Sequence, residues 1–133
     1  MPHSPEPRRD LPERTFEFSR RIVALCKVLE DMGGVAKVMG RQLLRSETSI
    51  GANVEEGQGS FSRADFIAKY SISCKEARET HYWLRLLKAS DLLPSGKLEP
   101  IIDEANELIA ILTTIIRKTR DGGKGEGGPA HDA

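Results

Sequence analysis

Residues 42–57, QLLRSETSIGANVEEG, decide the fold. Extended back to Val35, this stretch places Val35, Met39, Leu43, Ser46, Ile50, Asn53, Val54 and Gly57 on one face of a helix turning about 100° per residue. Beside that face runs a second stripe of Val38, Gln42, Arg45, Ser49, Ala52 and Glu56. An ordinary surface helix would carry Lys and Glu there. Small residues instead let another backbone approach closely, and isolated polar groups need partners once they are buried. The stretch is therefore expected to form a buried helix with a polar seam.

The same periodicity extends in both directions. Upstream, Phe18, Ile22, Leu25, Leu29 and Met32 recur every three or four residues, which predicts a first helix from Arg14 to Met32. Phe16 and Val23 fall on its opposite side. Gly33-Gly34 should close it, because glycine accepts the left-handed conformation that ends a helix. So tight a link makes the first two helices antiparallel neighbours. The second helix should run from Val35 to Glu56, broken by Gly57-Gln58-Gly59.

Downstream, Ser62 followed by Asp65 resembles a capping box and opens a third helix, from Arg63 to Ser90. Its main stripe is Phe66, Tyr70, Ser73, Ala77, Leu84 and Leu87, with Lys75, Arg78, Tyr82 and Arg85 in the wetter sector. A fourth helix should begin between Lys97 and Pro100 and end near Arg120, with Ile101, Ala105, Leu108, Leu112 and Ile115 on one face. Four helices with short links and no strand-like alternation specify an all-α, up-down-up-down four-helix bundle over residues 14–120. Residues 1–13, with four prolines among charges, are expected to form a flexible arm, and the Gly-rich residues 121–133 a disordered tail.

The chain is one domain long at 133 residues, and its 20 Lys and Arg balance 20 Asp and Glu. Zero net charge argues against a whole-surface nucleic-acid binder but leaves room for a local basic patch. No apolar run approaches the roughly 18 residues of a membrane span. The N-terminal stretch has no apolar core for a signal peptide, so a cytoplasmic protein without membrane association is expected.

Catalysis finds no foothold in the motifs. Cys26 and Cys74 are solitary and should be buried as small hydrophobes. His81 and Cys74 are too few for a zinc site, and a core histidine satisfied by a hydrogen bond is the simpler expectation. Glu76 and Glu79 lack the histidine three residues on that a di-iron bundle requires. No GxSxG elbow or phosphate-binding loop is present. No catalytic residue, metal, cofactor or small-molecule substrate is expected.

Three groups of residues remain as candidates. Gln42, Arg45, Ser49, Asn53, Glu56, Glu76 and Glu79 should form the polar seam, with Arg45 largely buried and paired to Glu76 or Glu79, fixing helix register. Ile72, Trp83 and Leu86 lie on a side of the third helix that its core stripe does not use, which marks an interface and predicts a homo-oligomer, most simply a ring. Arg117, Lys118 and Arg120 cluster at the end of the fourth helix, where the helix dipole favours cations and where phosphates would find them.

QLLRSETSIGANVEEG followed by ADFIAKYSISCKEARETHYWLRLL resembles the bacterial four-helix bundle family known as 23S rRNA-intervening-sequence proteins. The resemblance covers Phe16 to Ile116 and rests on Gln42, Leu44, Arg45, Ser46, Ser49, Ile50, Ala52, Asn53, Glu56 and Gly57, extended by Asp65, Phe66, Ile67, Glu76, Ala77, Glu79, Trp83 and Leu84. Glu55 departs from it, since the family more often has a small residue there. The resemblance implies a small up-down bundle, with relatives that assemble as pentameric barrels. Some members are encoded within insertions in 23S rRNA genes, without an established activity. It also points to the accessory variability proteins of diversity-generating retroelements, which bind nucleic acid and partner a reverse transcriptase but are typically more basic than this neutral chain. The expected function is a non-enzymatic oligomeric scaffold or adaptor. The alternative is a nucleic-acid-binding accessory protein serving an rRNA intervening sequence or a reverse transcriptase.

Overall fold

The computed structural model describes residues 7–125 as four helices: α1 Pro7–Met32, α2 Gly34–Gln58, α3 Arg63–Ala89 and α4 Ser95–Gly125. Apolar residues at helical spacing turn inward from all four. Phe18, Ile22 and Leu29 meet Leu43, Ile50 and Val54, then Tyr70, Leu84 and Leu87, then Leu98, Leu108 and Leu112, all essentially without exposure. Each such side chain contributes about 1.5–3 kcal/mol on leaving water. The helices pack in chain order, α1 on α2, α2 on α3 and α3 on α4, whereas α1 meets α4 over a short stretch only. The all-α four-helix bundle holds.

The links follow local chemistry. Gly33 (φ 73°) and Gly34 (φ 58°) turn the chain from α1 to α2 in the left-handed region, where a side chain would be strained. Ser62 caps α3 by accepting from the Asp65 N–H at 3.0 Å. Asp91 (φ 55°) supplies the left-handed residue after α3, a conformation that Asp tolerates better than most.

Several boundaries differ from the sequence expectation. Helix α1 begins at Pro7 and not at Arg14, so the expected arm is shorter by the residues that join the helix. Leu11, seven residues before Phe18, is fully buried, and the Thr15 hydroxyl donates back to its carbonyl at 3.0 Å. Pro12 lies inside α1 as its sixth residue, where it removes one i→i−4 hydrogen bond from the first turns of the helix. Helix α2 continues through Gly57 to Gln58. Gly57 is a close approach and not a break: a Cβ there would stand 2.5 and 2.7 Å from the Tyr70 ring. Helix α4 starts at Ser95, ahead of Lys97, and reaches Gly125, so the expected tail is helical at its beginning. The remainder of the arm, residues 1–6, and of the tail, residues 126–133, lies outside the described residues. Met32 and Val35 are exposed, because they flank the turn at the end of the bundle and have no facing helix to cover them.

A cationic groove as the candidate functional site

The polar groups of α2 divide between its two neighbours, α1 and α3. Arg45 is not buried: its side chain is 59% exposed, on the outer edge between α2 and α3. It pairs with Glu79 at 2.6 Å and with Gln42 at 3.1 Å, so its partner is as expected and its burial is not. Trp83 Nε1 donates to the same Glu79 carboxylate at 3.1 Å. These bonds, that of the indole first, hold the Glu79 carboxyl below the usual carboxylate range. Glu56 is exposed and meets Lys69 at 3.3 Å. Asn53 donates to the Ser49 carbonyl within its own helix. Glu76 is half-buried with Oε1 unpartnered among the described residues. The predicted seam is therefore a rim.

The polar groups that are buried lie one step round the helix. Ser46 and Thr80 share a hydrogen bond at 2.9 Å between α2 and α3, and Ser73 donates to the Ile50 carbonyl at 2.9 Å. Towards α1 stands Glu47, with no exposure at all. Its Oε2 is hydrogen-bonded to the Ser19 hydroxyl, which also reaches the Thr15 carbonyl at 2.9 Å, while its Oε1 has no partner among the described residues. One hydroxyl proton cannot fully serve two acceptors. A protonated Glu47 resolves the pattern, donating to Ser19 as Ser19 donates to Thr15. Burial pushes the Glu47 carboxyl up, against the pull of Ser19.

The predicted interface residues also separate. Ile72 is exposed, whereas Trp83 and Leu86 are partly buried and pack on the core. The wide apolar face of α3 thus wraps the bundle in part. The apolar side chains left open are elsewhere as well, with Val35 and Val38 on α2 and Phe16 on α1.

Arg117 and Arg120 meet partners that the sequence alone did not pair with them. Together with Lys75 and Arg78 of α3 they line a groove of about 370 Å³ between α3 and α4, floored by Cys74, Thr113 and Ile116 and edged by Ser71. Cys74 Sγ and Thr113 Oγ1 stand 3.5 Å apart across the helix pair. Lys118 is exposed but does not line the groove. Each helix contributes two cations spaced i, i+3, which places both on one face. None of the four carries an ion pair among the described residues, and no carboxylate lines the groove. Lys75 acts on Glu79 at a distance, and that carboxylate is already held by hydrogen bonds from Arg45 and Trp83. His81, one turn beyond Arg78, adds no charge at neutral pH, since burial and then Arg85 lower its pKa. It is half-buried and makes no hydrogen bond among the described residues, unlike the satisfied core histidine expected. Four cations with no carboxylate in their groove, over a floor of Cys74, Thr113 and Ile116, can neutralise phosphates; they offer no nucleophile and base pair.

Cys26 and Cys74 are free thiols in the core, as the helical pattern implied. Burial pushes the Cys26 thiol up to about 11, so it is unreactive at neutral pH. Among the described residues no group of three or more His, Cys, Asp or Glu side chains converges, and no helix is long and apolar enough to cross a membrane.

Residues 10–114 match the family described as 23S rRNA-intervening sequence protein. The chain belongs to that family. A crystal structure of a protein of unknown function from the S23 ribosomal protein family of Bacteroides thetaiotaomicron superposes with a TM-score of 0.77 at 40% identity, covering 84% of this chain and 99% of that one. No curated protein matches. The 23S rRNA-intervening sequence family match takes in α2 and α3 whole, together with Cys74, Lys75, Arg78 and Thr113 of the groove, and stops short of Arg117 and Arg120.

Proposed function

We propose that this 23S rRNA-intervening sequence protein is a non-enzymatic accessory module that binds the phosphate backbone of nucleic acid in the groove between α3 and α4. One observation carries this: Lys75, Arg78, Arg117 and Arg120 converge without a carboxylate among them. Such a cluster lacks internal compensation, and a polyanion supplies it with release of counterions. The net charge of zero is compatible, because Arg14, Arg20, Arg41, Arg45, Lys69 and Lys88 elsewhere are paired with acids. The test is a gel-shift series with structured RNA and with DNA at rising salt. With four phosphates neutralised per protomer, log affinity should fall with log salt at a slope of about −3 to −4. Absence of binding to either at 50 mM salt would refute the proposal.

A second reading, a homo-oligomeric scaffold, is favoured by the open apolar side chains of Val35, Val38 and Ile72 along the α2 and α3 side. A ring, with a pentamer as one form, would bury them against a different face of the next copy and repeat the cationic groove around an axis. Mass by light scattering decides it. Val38→Glu with Ile72→Glu is the variant of choice, since Trp83 is partly in the core. A monomer mass for the wild type at micromolar concentration would end this reading.

A further inference from the structure

We infer that the nucleic acid taken by this groove is single-stranded, with Tyr82 as the platform on which an unpaired base stacks; this rests on the phosphate-binding proposal above. The groove reads phosphate only, because none of its lining residues is aromatic. Its α3 edge continues beyond it. Ser71, Lys75, Arg78, Tyr82 and Arg85 are all exposed and fall on one side of α3, with Tyr82 one turn, about 6 Å, past Arg78. An aromatic ring thus stands between two arginines on the ridge that leads out of the groove.

The ring is presented for contact. Tyr82 is 49% exposed, and its hydroxyl makes no hydrogen bond among the described residues. Trp83 meets it edge-on, with centroids 5.4 Å apart at 72°, which steadies the ring without covering it face to face. The Arg85 guanidinium lies over one face of the ring at 5.8 Å from its centroid, so a base would stack on the opposite face with that cation across the ring. The carboxylate of Glu79, near Lys75, is paired with Arg45 at 2.6 Å, which offsets its charge towards a phosphate chain. A duplex keeps its bases stacked on one another and offers this ridge only phosphates. A single strand offers phosphates to Lys75, Arg78, Arg117 and Arg120 and an open base to Tyr82, the combination used by proteins that bind single strands without reading sequence.

The test compares an unstructured oligo-dT with a duplex of equal length, by fluorescence anisotropy on the full chain. The wild type should prefer the single strand. Tyr82→Leu should weaken single-strand binding about 10-fold, leave duplex binding unchanged and leave the salt slope unchanged, since no charge is removed. Tyr82→Phe should restore wild-type affinity. Circular dichroism checks that both Tyr82 variants keep the wild-type helical fold. Equal loss on both probes, or no loss with Tyr82→Leu, would overturn the stacking platform while leaving the phosphate groove standing. Failure of the wild type to bind either probe at low salt would overturn both.

Discussion

The groove between α3 and α4 and the α1–α2 half of this bundle use charge in opposite ways. Across the α1 and α2 half, and from α1 to α4, cations meet acids. Glu30 takes Arg41 at 2.8 Å and Lys37 at 3.7 Å, Arg20 takes Glu17 at 2.7 Å, and Arg14 reaches Glu104 at 2.7 Å and Glu107 at 3.0 Å. The Arg41 hydrogen bond holds the Glu30 carboxyl low, and the Glu104 bond raises Arg14. At the far end of α3 and α4 Lys88 still meets Glu99 at 3.0 Å, but in the groove Lys75, Arg78, Arg117 and Arg120 make no ion pair among the described residues and no carboxylate lines it. A balanced total therefore conceals segregation. Charges that meet within the fold are spent on the fold, and those left facing each other are available to a ligand.

The largest effect that would sharpen this contrast comes from reversing the groove. Arg117→Glu with Arg120→Glu should reduce nucleic-acid binding about 100-fold or more at low salt, measured by anisotropy, with the urea midpoint nearly unchanged. The matching change in the other half, Arg20→Glu, should leave binding within about twofold. Loss of binding from both would show that the whole surface field, and not the groove, attracts the ligand.

A smaller effect belongs to Glu47, the exception in the first half because it is buried without a cation. Its folded pKa is raised by burial, so the neutral form is the one the fold prefers. The stability it contributes is fully present below the unfolded carboxylate pKa, about 4.3, and is lost as pH rises through the folded value. Glu47→Gln mimics the protonated acid and can still donate to Ser19. Urea unfolding should show Glu47→Gln stabilised relative to wild type at pH 7, on the order of 1 kcal/mol, and indistinguishable near pH 4. A destabilised variant at pH 7 would mean that the fold favours the ionised carboxylate and that burial does not raise the Glu47 pKa.

The smallest effect is at Arg45. A buried arginine would cost about 3–5 kcal/mol on removal. The exposed pair with Glu79 should cost less than about 1 kcal/mol in Arg45→Met by denaturant unfolding. A loss above 2 kcal/mol would place Arg45 in an assembly interface that covers it.

Four helices were legible because Phe18 to Leu29, Leu43 to Val54, Tyr70 to Leu87 and Leu108 to Ile115 repeat at helical spacing, and the Ser62 cap and the Gly33-Gly34 turn were legible because their chemistry is local. The start of α1 was hidden by prolines and charges surrounding a single buried Leu11. Arg45 was misplaced and Glu47 not singled out for one reason: successive positions on α2 turn by about 100°, and only the placement of α1 and α3 decides which point inward. Glu47 did leave a trace in the sequence, since Thr15, Ser19 and Gly51 are small enough to surround a carboxyl. The groove was half legible. Arg117 and Arg120 were visible as a cluster, but their juxtaposition with Lys75 and Arg78 is a tertiary fact, hinted at only by the matching i, i+3 spacings.

The short meeting of α1 with α4 bears on how the chain folds. Almost all packing joins helices that are consecutive in sequence, across links of one, four and five residues. Each helical hairpin can close with little loss of chain entropy, and no distant pairing must be found before native contacts begin to stabilise one another. Low contact order of this kind belongs to domains that fold in microseconds to milliseconds. The ion pair of Arg14 with Glu104, which joins residues 90 apart in the chain, is then a late event, fastening the two outer helices after the three hairpins have formed.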